Sequence, residues 1–360
     1  MIISTQIGTS HNVIIATRPE ASRITLLSRA FIASVVAMKF HHFVRVTVAA
    51  ALVVVAGAGC TSSPAAPGGT GAGVGGLTRI DVGVLPIIDD APVFIALQRG
   101  LFRAQGLEVT PVILGSGEAS TAELLSGKLQ FAFSNYVTTI LATSQGAKLR
   151  IVADGAQTLP GTNVLMTGKN SAIRDVPDLR GKTIAVNALG NIGSLMVDST
   201  LRTYGVPVNS VKFKVIAFPS MAAALADHSV DAAWVSEPFI TQSGEQIGAE
   251  ELADTASGPM TNFPIAGYEA QLGYAQRHPS VVAAFQRAIR QAQALAATRS
   301  VVERALPTYI SGMAPRLDAA VHLDSYPTSL SRVRLQRVAD SMLAAGMLRQ
   351  PFGVQQLLMP

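Results

Sequence analysis

This chain has almost no cysteine, few rings and few charges, and each shortage closes off a class of protein. One Cys in 360 residues cannot form an internal disulfide, and no CxxC or Cys/His spacing points to a metal site. No GxxxxGK[ST] loop is present to cradle a nucleotide phosphate. Aromatic residues make up 6%, with a single Trp, so Ala, Val and Leu must do most of the packing. The formal charge of +5 is unevenly placed. Residues 1–59 contain Arg18, Arg23, Arg29, Lys39 and Arg45 against only Glu20, and the rest of the chain is close to neutral. No basic footprint for nucleic acid is left.

What is present begins with a leader. After Met38, Lys39 and Arg45 form a short positive region, followed by the apolar run Val46–Ala58. That run falls short of the ~20 residues a membrane-spanning helix needs, but it suits the core of a secretory signal. Small residues then lead into Cys60 and the stretch TSSPAAPGGTGAGVGG. The arrangement resembles a bacterial lipobox, with Cys60 as the lipidated N-terminus of the mature protein, although Gly57 stands where Leu is usual. Residues 1–59 are therefore expected to be leader and lipoprotein signal peptide, with the true start at Met38. Residues 60–76 lack large apolar side chains until Val74 and are expected to be a flexible tether.

Beyond Leu77 short β-branched runs alternate with helical stretches. RIDVGVL, LEVTPVIL, QFAFS and LRIVADG read as strands, separated by helices over PVFIALQRGLF, EASTAELLSG and VTTILATSQG. The rhythm restarts at Lys182, with strands KTIAVN, VKFKVIAF and VDAAWV around helices IGSLMVDSTLRTYG and SMAAALADH, the latter capped by Ser220. FPIAGYEA is again strand-like, and the chain is then helical from about Pro279. Strands spaced by helices of this length predict βαβ units and parallel sheet. The simplest layout is two α/β lobes joined by two crossings, with a helical C-terminal tail. Lobe one is expected over 77–162 and 264–360, and lobe two over 163–263.

The strand-to-helix corners carry VGVLPIIDDAPVFIALQRGLFRAQGLEV, LLSGKLQFAFSNY, DLRGKTIAVNALGNIG and VDAAWVSEPF, in that order. Together they resemble the solute-binding proteins of the nitrate/sulfonate/taurine and thiamine-precursor ABC importers, the SsuA/THI5-like or NMT1-like family. The resemblance runs from about Arg79 to Tyr268. It implies the type II periplasmic-binding-protein fold and capture of a small polar organic or oxyanion solute in an interlobe cleft. The implied partners are an ABC permease and its ATPase. The implied place is the cell envelope, where a monomer is held by its lipid on the outer face of the cytoplasmic membrane.

In such a fold the ligand sits at the carboxyl ends of the strands, against helix N-termini. Of Asp89 and Asp90, one is expected to cap the helix at Pro92 and the other to face the cleft. Ser116 lies in a glycine-flanked turn. Asn135 and Tyr136 follow the third strand, where related proteins tend to touch their ligand. Gly190 and Asn191 open the first helix of lobe two and offer N–H groups to an anion, unless Asn191 is a plain N-cap, and Asn187 at the strand end is expected to reach in. Trp234 is either a lid over the ligand or core of lobe two, and Glu237 either pairs with a ligand cation or bridges the lobes. No Arg or Lys sits at a strand end.

Two rival readings share the fold: a ligand sensor, and an enzyme like the thiamine-pyrimidine synthases. The synthases need His and Cys around iron, whereas only His228, His278 and His322 follow Leu77, none at a corner. The expectation is no catalytic residue, no cofactor and no metal.

Overall fold

The computed structural model describes residues 76–313 and 315–359, so the expected leader, the lipidation at Cys60 and nearly all of the expected tether lie outside the described residues. Ten strands form two five-stranded sheets. The first holds β1 (Thr78–Val84), β2 (Leu107–Ile113), β3 (Phe131–Asn135), β4 (Leu149–Gln157) and β10 (Pro264–Gln271), in the order β2-β1-β3-β10-β4. The second holds β5 (Asn163–Thr167), β6 (Thr183–Val186), β7 (Lys212–Val215), β8 (Ala232–Ser236) and β9 (Glu250–Asp254), in the order β7-β6-β8-β5-β9. The chain passes from one sheet to the other between β4 and β5 and returns between β9 and β10.

Neither sheet is wholly parallel, which departs from the expectation. β1 pairs parallel with β2 and β3, and β6 parallel with β7 and β8. β10 runs antiparallel to β3 and β4, and β5 antiparallel to β8 and β9. The reason is topological. β5 and β10 are the first strands after each crossing, so they start at the end where the other strands finish and can only run back. Both sheets therefore aim their carboxyl ends at the crossings.

Local chemistry sets the boundaries. The helix expected over 92–102 is two pieces, Ala91–Gln98 and Leu101–Ala104, because Gly100 adopts φ 65 between them. The helix expected to be capped by Ser220 starts earlier, at Phe218, with Ala217 at the cap. Pro219 in its first turn supplies the helical φ without needing a donor, so the start moves ahead of Ser220. β5, β9 and the helix Phe239–Ile247 were not legible in the pattern.

The tail helix Pro279–Ala296 buries one stripe, with Val282, Phe285, Ile289, Ala292 and Ala296 at three- and four-residue spacing. Phe285 stacks on Phe131 at 4.1 Å and lies 5.6 Å from Phe102 and 5.5 Å from Tyr268. Burying each such ring stabilises the lobe by roughly 1.5–3 kcal/mol. The second sheet packs Trp234 against Phe218, 5.8 Å away, and Phe218 lies 5.9 Å from Phe239. All described residues belong to one compact unit, Ala72–Pro360.

Candidate ligand-binding site

A narrow enclosed space of about 30 Å³ lies between the carboxyl ends of the two sheets, far below the ~300–1,000 Å³ usual for ligand sites, so the two lobes are drawn together on it. Lobe one contributes Leu85, Ile87 and Asp89 from the loop after β1, Gly117 from the corner after β2, Phe133 and Asn135 from β3, and Ile265 and Ala266 from β10. Lobe two contributes Asn163 at the start of β5, Asn187 after β6, Ile192, Phe218, and Trp234 and Ser236 from β8. The walls are apolar and aromatic, with three Asn, one Ser and one carboxyl.

The tail fixes the acid-bearing loop. The Tyr309 hydroxyl donates to the Ile87 carbonyl at 3.1 Å and Tyr326 to that of Ile88 at 2.9 Å. The lobes also grip each other here. Ser236 Oγ donates to Asp89 Oδ1 at 3.3 Å, and the Ile88 N–H to the Glu237 carbonyl at 2.9 Å. With Asp89 3% exposed and Trp234 2%, the lobes are closed on the cavity.

Four of the residues singled out from the sequence line this space: Asp89, Asn135, Asn187 and Trp234. Asn135 also caps the helix Tyr136–Ser144, accepting from the Thr138 N–H at 2.9 Å. Asn187 accepts from Asn191 Nδ2 at 2.8 Å, and Trp234 Nε1 donates to Thr255 Oγ1 at 3.0 Å.

The other six are placed outside the cavity lining, each for a stated reason. Asp90 turns into lobe one, where its carboxyl accepts from the Leu85 N–H at 2.9 Å and from the Tyr268 hydroxyl at 2.8 Å. Its position precedes the helix at Ala91, but its side chain makes no capping bond. Ser116 caps the helix Gly117–Leu125 through the Ala119 N–H. Tyr136 is buried between helix and sheet and donates its hydroxyl to Asp154, which also pairs with Arg334. Gly190 gives its N–H to Ser194 Oγ at 3.1 Å, and Asn191 accepts from the Ser194 N–H at 3.2 Å. Two donors of the expected anion cradle, the N–H groups of Gly190 and Ser194, are thus taken by the chain's own groups. Glu237 accepts from Thr241 and from the His322 N–H at 3.1 Å, so it ties lobe two to the tail.

The sequence did not indicate Asn163 or Asp324. Asn163 is fully buried at the cavity wall, and its Nδ2 has no hydrogen-bond partner. Asp324 arrives from the tail and is buried beside Asp89, with neither carboxyl oxygen in a well-formed hydrogen bond. Burial pushes the Asp89 carboxyl up to about 6, against relief from backbone and side-chain donors. Burial, then the charge of Asp89, pushes Asp324 far above the carboxylate range. Two such neighbours cannot both ionise, so the pair shares one proton and carries one negative charge. Burial also raises Asp90 to about 8 and moves Glu237 upward. Among the described residues no group of three or more His, Cys, Asp or Glu is arranged to hold a metal ion.

A family model described as NMT1/THI5 like matches residues 88–299, which takes in nine of the ten strands described above and most of the cavity wall. The chain belongs to the NMT1/THI5-like family. It is 27% identical over 270 residues to the nitrate/nitrite binding protein of Synechococcus elongatus, covering 65% of this chain and 58% of that protein. This chain therefore spans less than two thirds of that relative's length. It is 28% identical over 116 residues to a 4-amino-5-hydroxymethyl-2-methylpyrimidine phosphate synthase of Saccharomyces cerevisiae, which covers only 32% of the chain and 33% of the enzyme. Its fold matches the alkanesulfonate-binding protein of Xanthomonas axonopodis pv. citri bound to MOPS, with a TM-score of 0.68 and 20% identity over 79% of this chain and 99% of that one. This NMT1/THI5-like chain has the type II periplasmic-binding-protein fold, as the sequence led one to expect.

Proposed function

We propose that this protein is the substrate-binding subunit of an ABC importer. It is exported, is held at the membrane by a lipid on Cys60, and captures one small solute in the cavity between its lobes. Lobe one is assigned to 77–162 and 264–360, and lobe two to 163–263. The observation that carries the reading is the cavity itself. It is walled by the strand ends of both lobes and closed by hydrogen bonds across them, and the chain passes between the two sheets at two connecting segments. Such a construction holds a solute and releases it by opening at the crossings. The family membership and the nitrate/nitrite binding relative point the same way. A catalytic role has less support, since the synthase relative covers about a third of the chain.

The test is a thermal-shift screen of purified residues 77–360 against nitrate, sulfonates, pyrimidines, purines and amines. One compound class should raise Tm in a saturable way. A protein that responds to none of them contradicts the proposal. For the anchor, Cys60→Ala should release the full chain from the membrane fraction, and retention there would contradict lipidation.

A further inference from the structure

The nitrate and sulfonate binders among the relatives would lead one to look for an anion, but the cavity is built against one. No Arg, Lys or His lines it, and its one charged side chain is Asp89. At the helix end that could have offered N–H groups, Gly190 already donates to Ser194 Oγ and Ser194 to Asn191 Oδ1. An anion here would lose its water and face a carboxylate, with nothing of opposite sign to offset either cost.

We propose, building on the solute-binding reading, that the ligand is a small organic cation. With the lobes parted enough to admit it, its ammonium group lies against Asp89 among the rings of Phe133, Phe218 and Trp234, and a neutral oxygen of the same molecule accepts from Asn163 Nδ2. Each part answers a feature of the site. Ser236 donates to Asp89 Oδ1 over a long 3.3 Å, and beside the backbone and Asp324 contacts of this carboxyl its oxygens retain capacity for a ligand N–H. Three aromatic side chains, Phe133 from lobe one and Phe218 and Trp234 from lobe two, suit a desolvated ammonium, which ring faces attract. Asn163 Nδ2 is a buried donor without a partner at the same wall, so it calls for an acceptor. Asp324, buried beside Asp89, shares one proton with it and leaves the pair one negative charge for the cation to neutralise.

The experiment is a calorimetric and thermal-shift titration of residues 77–360 at pH 7.5 and fixed ionic strength. Ethanolamine and choline serve as cationic probes, with nitrate and methanesulfonate as anionic ones. The expected result is saturable binding of at least one cation, with Tm raised by about 5 °C at a hundredfold excess over Kd, and no response to either anion. Asp89→Asn keeps the size and the Ser236 contact, and should weaken the cation roughly thirtyfold or more without lowering the Tm of the unliganded protein. Binding of nitrate or methanesulfonate would overturn the cation assignment while leaving the solute-binding reading intact. So would cation binding that is indifferent to Asp89→Asn. A protein that binds neither cation overturns the assignment as well, and the wider screen then decides whether the solute-binding reading also fails.

Discussion

The two lobes share a plan but not a construction. Each has five strands with one reversed strand next to a crossing. The first is backed by the tail helices and an aromatic stack, and it encloses several acids. Glu269 accepts from Thr121 and Thr139 at 2.6 and 2.7 Å, and Asp154 accepts from Tyr136 and Arg334. The second is lighter, and its outer strands β7 and β9 have no fully buried residue. The heavier lobe holds Asp89 on a loop pinned by tail tyrosines, while the lighter one brings Trp234 and Ser236 to it. The difference assigns lobe one the role of platform and lobe two that of moving jaw.

The largest effect that would break this comparison comes from the platform. Phe285→Ala removes the ring packed on Phe102, Phe131 and Tyr268, and should cost about 3–5 kcal/mol in urea unfolding. Because Phe285 does not itself line the cavity, the affinity of the remaining folded protein should not change. A loss of affinity at full folding would show that the platform is not independent of the site.

A smaller effect should come from the jaw. A Cβ on Gly193 would lie 2.5 Å from the Trp234 ring, which is core rather than a flexible tip. Gly193→Ala should therefore destabilise by roughly 1–3 kcal/mol, despite the ~1 kcal/mol by which Ala is the better helix former. Since Trp234 lines the cavity, ligand affinity should fall as well. An unchanged affinity would place Trp234 in the core of lobe two alone.

How far sequence could reach this picture is clear from particular residues. The alternation of apolar runs and helices exposed three of the five strands in lobe two, because those runs are rich in Val, Ile and Ala. β9 reads EELAD, whose acids disfavour a strand until an edge position half-solvates them. β5 is five residues long and lacks a helix before it, so no βα rhythm announces it. In the site, Asp89, Asn135, Asn187 and Trp234 were legible as the last residues of strands or the corners beyond them. Asn163 was not, because it begins a reversed strand. Asp324 was not, because tail packing brings it to Asp89 from 235 positions further along the chain. Gly190 and Asn191 were marked correctly as a helix start, but their donors are spent locally on Ser194 and Asn187.

The smallest effect is read by pH. Burial raises Asp90 to about 8, Glu269 to about 7 and Asp89 to about 6, all in lobe one. The folded state thus binds protons that the unfolded chain has lost above pH ~4, so this stabilisation is full below ~4 and is lost as pH rises toward 8. Exposed Asp178 and Asp227, held low by backbone N–H groups, act weakly in the opposite sense in more acid solution. Tm should fall from pH 5 to pH 8.5. Asp90→Asn, neutral at every pH, should flatten the fall, since the Tyr268 hydroxyl can turn to accept from the new amide. A slope unchanged by Asp90→Asn would show that Asp90 does not hold its proton.

The central claim is that the interlobe cavity holds one solute, and the most direct measurement is of what the protein carries. The protein should be purified from its own cells without ligand exchange and denatured, and the released small molecules weighed and counted by mass spectrometry. The account predicts a single low-mass compound in close to equimolar amount, carrying a cationic nitrogen and no acid group. Release of an anion would contradict the assigned chemistry, and release of nothing above background would contradict the claim itself.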